Sequence, residues 1–260
     1  MPTRTEYKAG TPSWVDLMTT DVAAAEDFYG RLFGWEYVAN PTEHGTDYVM
    51  AFRNQQSVAG MAEQGPEQAR AGVPPMWNTY VSVDDLEATV AKVAGAGGSV
   101  MMPPMKVEDA GMMAVIVDPA GAVVCCWEKL GHAGAGLVNE HGSLIWNELI
   151  TPDPSAISGF YSEVFGWRPE IMSMDGSDYT VMNVDGAGVA GAMATPAEGI
   201  RPHWGVYFAV DDCDACVATA REAGGTVLMP PMDTPVGRMA ALADPQGATF
   251  SVMTPAQPPA

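Results

Sequence analysis

Apolar and polar positions along this chain repeat as a pair of patterns, each used more than once. Residues 13 to 35, SWVDLMTTDVAAAEDFYGRLFGW, open with strict alternation from Trp14 to Thr19. A 3.6-residue stripe of Val22, Ala25, Phe28, Tyr29, Leu32 and Phe33 follows. The first pattern predicts a half-buried strand and the second an amphipathic helix, capped by Asp21 and stopped at Gly34. Residues 145 to 167, IWNELITPDPSAISGFYSEVFGW, repeat the block at an offset of 132 with ten of twenty-three positions identical. Such internal repetition has to be recognised before any other feature is interpreted.

After that helix, Trp35–Ala39, Asp47–Arg53 and Gln56–Met61 read as strands, the last two joined by a tight turn at Asn54. A polar connection from Ala62 to Pro75 leads to a second round. Trp77–Val83 is a predicted strand, and Asp84-Asp85 caps a helix reaching Ala96. Gly97-Gly98 stops the helix, Ser99–Met102 is a strand, and Pro103-Pro104 is a predicted break. Met112–Val117 and Ala122–Glu128 close the unit around the turn Asp118-Pro119-Ala120-Gly121. The order is strand, helix and three strands, twice. Arg201–Met232 repeats Pro74–Met105 with seventeen of thirty-two positions identical, so the second half of the chain follows the same plan. The expectation is an α+β protein of two domains, 12–130 and 143–256, joined by a flexible Gly/Ala-rich linker at 131–142. Residues 1–11 read as a loose arm and the Pro-rich end as a disordered tail.

Composition narrows the function. Twelve Lys and Arg face thirty-two Asp and Glu, a formal charge of −20. That field repels phosphate backbones and anionic lipid, which argues against nucleic-acid or membrane partners. No apolar run reaches the roughly 20 residues a bilayer span needs, and the first residues lack a secretory signal's apolar stretch. A cytoplasmic protein is expected. Cys213 and Cys216 form a CxxC, but the first copy holds Leu86 and Thr89 at those places, so helix packing is favoured over zinc or redox chemistry. The glycine pairs after helices are caps, and no phosphate loop or Ser-His-Asp set is present.

The ordered signatures, FYGRLFGW with FYSEVFGW, YVSVDDLEATV with YFAVDDCDACV, and DPAGAVVCCW with DPQGATFSVM, resemble the vicinal oxygen chelate superfamily. That group includes glyoxalase I, extradiol dioxygenases and bleomycin-resistance proteins. The resemblance implies tandem paired βαβββ modules, with two eight-stranded U-shaped mixed sheets, helices outside and a ligand cavity within each. Alternation then turns Trp14, Asp16 and Met18 inward, with Asn78, Tyr80 and Ser82, and with Val123, Cys125 and Trp127. The second cavity takes Trp146, Glu148 and Ile150, then His203, Gly205, Tyr207 and Ala209, and Thr249, Ser251 and Met253.

At the places where metal-using members carry His, Gln or Glu, this chain has Trp14, Asn78 and Cys125, and Trp146, Gly205 and Ser251. Indole nitrogen only donates and glycine offers nothing. The four histidines are His44, His132, His141 and His203, so the expectation is a protein without metal or other cofactor. Asp16, Glu148 and His203 are the ligand candidates should a metal nevertheless bind. Asp16 and Glu148, with Tyr80 and Tyr207, are candidate catalytic groups. Trp14, Met18, Asn78, Trp127, Trp146, His203 and Met253 are candidate ligand-binding groups. Two functions fit. The leading one is metal-free binding of a small, aromatic or apolar metabolite, in resistance or secondary metabolism. The other is a glyoxalase-like lyase, isomerase or oxygenase, metal-dependent or using Asp16 or Glu148 as acid or base. Either a monomer of pseudo-dimeric domains or a homodimer fits the repeat, and the domains can close on themselves or exchange strands.

Overall fold

The computed structural model describes residues 4–42, 45–174 and 177–256. His44 and the last four residues of the Pro-rich tail fall outside them. In the first half of the chain β1 (Pro12–Thr19), α1 (Val22–Phe33), β2 (Glu36–Pro41), β3 (Asp47–Arg53) and β4 (Gln56–Glu63) form one module. A short helix, α2 (Pro66–Arg70), leads to β5 (Met76–Ser82), α3 (Leu86–Val93), β6 (Ser99–Val107), β7 (Gly111–Val117) and β8 (Val123–Lys129). The second half repeats this as β9 (Ser143–Thr151), α4 (Pro154–Phe165), β10 (Arg168–Met174), β11 (Ser177–Val184) and β12 (Ala187–Ala194). It ends with β13 (His203–Ala209), α5 (Cys213–Glu222), β14 (Thr226–Thr234), β15 (Gly237–Ala243) and β16 (Thr249–Pro255).

Each half builds its own eight-stranded mixed sheet, ordered β2-β3-β4-β1-β5-β8-β7-β6 and β10-β11-β12-β9-β13-β16-β15-β14. The modules join where β1 runs antiparallel to β5 and β9 to β13. Strands are therefore not exchanged between halves, yet the helical sides are shared. One core joins Val15, Leu17, Phe28 and Tyr29 to Phe208, Val217, Leu242 and Phe250; the other joins Val81, Leu86 and Ile116 to Leu149, Phe160, Tyr161 and Trp167. Polar contacts follow the same pseudo-symmetry. Tyr29 donates to Asp244 at 3.1 Å and accepts from Trp77 Nε1 at 3.0 Å; Tyr161 donates to Asp118 at 2.9 Å and accepts from Trp204 Nε1 at 3.1 Å. Cys213 and Cys216 lie buried in the first core, and all four cysteines are free. Burial pushes their thiols up to about 11 and about 12, which suits packing and not redox work.

Three expectations change. β6 continues through Pro103-Pro104, because it is an edge strand and slips its register between Met102 and Met105, where missing N–H groups cost little. The arm is tied down: Arg4 and Gly10 N–H groups bond to Gly136 and Ser82, and Tyr7 donates to the Ala135 carbonyl at 2.6 Å. The connection 131–142 is packed against the fold, with Gly134 through Leu137 and Gly142 buried. Among the described residues no helix is long and apolar enough to cross a membrane.

Candidate functional site

On the sheet face away from the helices, each half gathers one carboxyl group under tyrosine hydroxyls. Alternation along β1 sends Val15 and Leu17 into the helical core and leaves Asp16 on the other side. Asn78 lies directly across the β1–β5 ladder and donates to Asp16 Oδ1 at 2.9 Å. Tyr80 and Tyr48 donate to Oδ2 at 2.8 and 3.2 Å. Trp14 Nε1 in turn donates to the Tyr48 hydroxyl at 2.9 Å. Burial drives the Asp16 pKa up, and the three donors pull against it. Tyr80 and Tyr48 are raised far enough, by burial and by the neighbouring carboxylate, to stay protonated donors.

The second half repeats the plan with one omission. Tyr207 donates to Glu148 Oε2 at 2.6 Å, and the Tyr179 hydroxyl, accepting from Trp146 Nε1 at 2.9 Å, also bonds to the carboxyl. Across the ladder from Glu148 stands Gly205, where the first half has Asn78. Glu148 therefore lacks the amide donor. A Cβ on Gly205 would find its nearest neighbour, the Glu148 main-chain oxygen, at 3.6 Å, an ordinary contact, so a side chain fits at that position. Burial raises the Glu148 pKa, opposed by Tyr207, Tyr179 and the charge of His203.

Tyr48 and Tyr179 do not figure among the residues expected from the sequence. They come from β3 and β11, two strands away from the carboxyl, and reach it over Gly60 and Gly191. A Cβ on either glycine would overlap the tyrosine hydroxyl. The repeat carries the signal: TDYVMA matches SDYTVM, and SVAGMA matches GVAGAM. Of the expected residues, Trp14, Tyr80, Cys125 and Trp127 form one buried cluster. Met253 is buried on β16, Met18 is half-buried opposite Met76, and neither joins the carboxyl's hydrogen bonds. His203 is exposed at the start of β13, bonded through Nδ1 to the Arg201 carbonyl.

The model of the glyoxalase/bleomycin resistance protein/dioxygenase superfamily matches residues 11–126 and again 136–252. The chain belongs to that superfamily. A protein described as putative glyoxylase CFP32, from Mycobacterium tuberculosis (strain CDC 1551 / Oshkosh), is 51% identical over 98% of this chain and 99% of its own. The anthracycline biosynthesis protein DnrV of Streptomyces peucetius is 40% identical over 96% of this chain and 94% of its own. Among solved structures, the Mn(II)-bound glyoxalase from Novosphingobium aromaticivorans shares the fold at a TM-score of 0.66 and 14% identity, covering 95% of this chain and 82% of that one.

The last finding corrects the expectation of a protein without a cofactor. A chain of this fold holds Mn(II), so the fold itself accommodates a metal. The donors present here make a poor match to such an ion. Among the described residues no three His, Cys, Asp or Glu side chains converge. Asp16 has both oxygens engaged by asparagine and tyrosine. A centre of converging histidine and carboxylate ligands is therefore not what these inner faces offer, and no chemical step is assigned to a metal.

Proposed function

We propose that the protein is a glyoxalase-like enzyme acting on a small, oxygenated, largely planar metabolite, with Glu148 as general base. One observation carries the reading: Glu148 is held by tyrosines but faces Gly205, while its counterpart Asp16 has its remaining oxygen taken by Asn78. Asp16 thus behaves as a satisfied structural acceptor, and Glu148 keeps a lone pair beside a position that carries no side chain. A carboxyl whose pKa is raised by burial is a stronger base once ionised, and its tyrosine partners stay protonated to hold it. The step balances within the protein. The carboxylate takes a proton from a carbon beside a carbonyl, or from a phenolic hydroxyl, and returns it at another atom of the same molecule. Relatives described as a putative glyoxylase and as an anthracycline biosynthesis protein support carbonyl-bearing and polycyclic aromatic substrates.

The test is turnover, followed by mass spectrometry, of thiol adducts of 2-oxoaldehydes and of hydroxylated anthraquinones. Glu148→Gln is expected to lower kcat by about 10²–10⁴ while ligand affinity changes less than about threefold. A native protein that binds these compounds and converts none of them would contradict the catalytic reading and leave a binder.

A further inference from the structure

The two inner faces differ in what covers them. In the first half the connection after β8 crosses the sheet. Leu130 and His132 N–H groups bond to Ala110, and Ala135 and Gly136 N–H groups bond to Ser13 and Ser57. Ala135 is thereby buried against Trp14, Tyr80, Cys125 and Trp127. The His132 ring meets Trp14 edge-on at 4.5 Å, and its carbonyl accepts from Trp127 Nε1 at 2.8 Å. Gly134 lies so close to the Ser13 backbone that no Cβ would fit, so a small residue is a condition of the closure. Trp14 is left 4% exposed and Cys125 3%.

In the second half the counterparts of Ser13 and Ser57 are Ile145 and Gly188. There they line a cavity of about 490 Å³ with Trp146 and Val189, and with Arg4, Tyr7 and Val138 from the arm and the end of the connection. Trp146 and Ser251, the counterparts of Trp14 and Cys125, are only half-buried. Trp146 belongs to this cavity and also donates to Tyr179, which touches Glu148.

We infer that the cavity beside Trp146 is the ligand entrance to Glu148, and that the segment 131–137 closes the equivalent entrance to Asp16. The two halves are then one working site and one closed copy. The entrance suits a flat ring system lying on the indole, with a polar substituent toward Arg4, Glu6 and Lys8, of which Lys8 is paired with Asp185 at 3.2 Å. The ligand's chemistry rests on the function proposed above; the difference in access does not.

A Ser251→Cys variant tests access inside a single molecule. Native protein is treated with N-ethylmaleimide, and peptide mass spectrometry reads the label at Cys125 and at the introduced thiol. The introduced thiol is expected to react at least about tenfold faster, and to be shielded by 1,8-dihydroxyanthraquinone. Equal rates, or faster labelling of Cys125, would overturn the inference. Gly134→Ala, added to the same variant, separates closure from the intrinsic reactivity of Cys125. It should accelerate labelling at Cys125 alone, and an unchanged rate in a folded variant would show that the segment is not the barrier. Turnover plays no part, so a failure of catalysis appears in the Glu148→Gln comparison and a failure of access appears here.

Discussion

Because both cores mix residues from the two halves, the chain should unfold as one unit, and Tyr29→Phe is the most incisive probe of that. The hydroxyl accepts from Trp77 Nε1 at 3.0 Å and donates to Asp244 at 3.1 Å, so it ties β5 of the first half to the turn before β16 of the second. Removing it strands a buried indole N–H, at a cost of about 1–3 kcal/mol. It also takes one donor from a buried carboxyl, whose other oxygen keeps the N–H groups of Gln246 and Ala248. Hydrogen bonds to charged groups are worth about 1.5–3 kcal/mol, and the two losses overlap, so about 2–4 kcal/mol is expected. That is a large share of a typical stability of about 5–15 kcal/mol. Urea unfolding followed by far-UV circular dichroism and by tryptophan fluorescence should show a single coincident transition moved to lower urea. Tyr161→Phe should do the same in the other core, and the pair should be nearly additive. A shift below about 0.5 kcal/mol, or a curve that splits in two, would refute the interlocked arrangement.

Gly205→Asn should place an amide opposite Glu148 as Asn78 stands opposite Asp16, and lower kcat by at least about tenfold with little change in melting temperature; unchanged turnover would remove Gly205's role. His132 is half-buried, its Nε2 atom is buried without a hydrogen-bond partner, and burial lowers its pKa. The unfolded chain therefore takes up its proton first as pH falls below about 6.5, and the native state loses stability from that pH downward. His132→Phe should stabilise the protein by about 1 kcal/mol at pH 8 and by more at pH 5, read from urea midpoints; an equal gain at both would refute the titration.

Much of this architecture was legible because the chain states it twice. Period-2 alternation in β1 separated Asp16 from Val15 and Leu17 without reference to any structure, and the same logic placed Glu148, Tyr80 and Tyr207. What escaped depends on distance across a sheet. Tyr48 and Tyr179 reach their carboxyls over strands whose glycines look, in one dimension, like weak points. The packing of the Gly/Ala-rich segment at 131–142 escapes for a related reason. Small residues suggest freedom, yet Gly134 and Ala135 are small because the backbone lies against Ser13 and the tryptophans. The expectation of no cofactor rests on missing ligand types alone, whereas one solved structure of this fold, at 14% identity, is Mn(II)-bound.

The pH dependence of kcat/KM, in native protein, Glu148→Gln and Asp16→Asn, tests the catalytic assignment most directly. A buried base with a raised pKa is active when ionised, so activity should rise with pH through a group above the ordinary glutamate value of 4.5. Glu148→Gln should erase that limb together with most turnover, and Asp16→Asn should keep it. A profile unaltered by Glu148→Gln, or an equal loss in Asp16→Asn, would contradict the account.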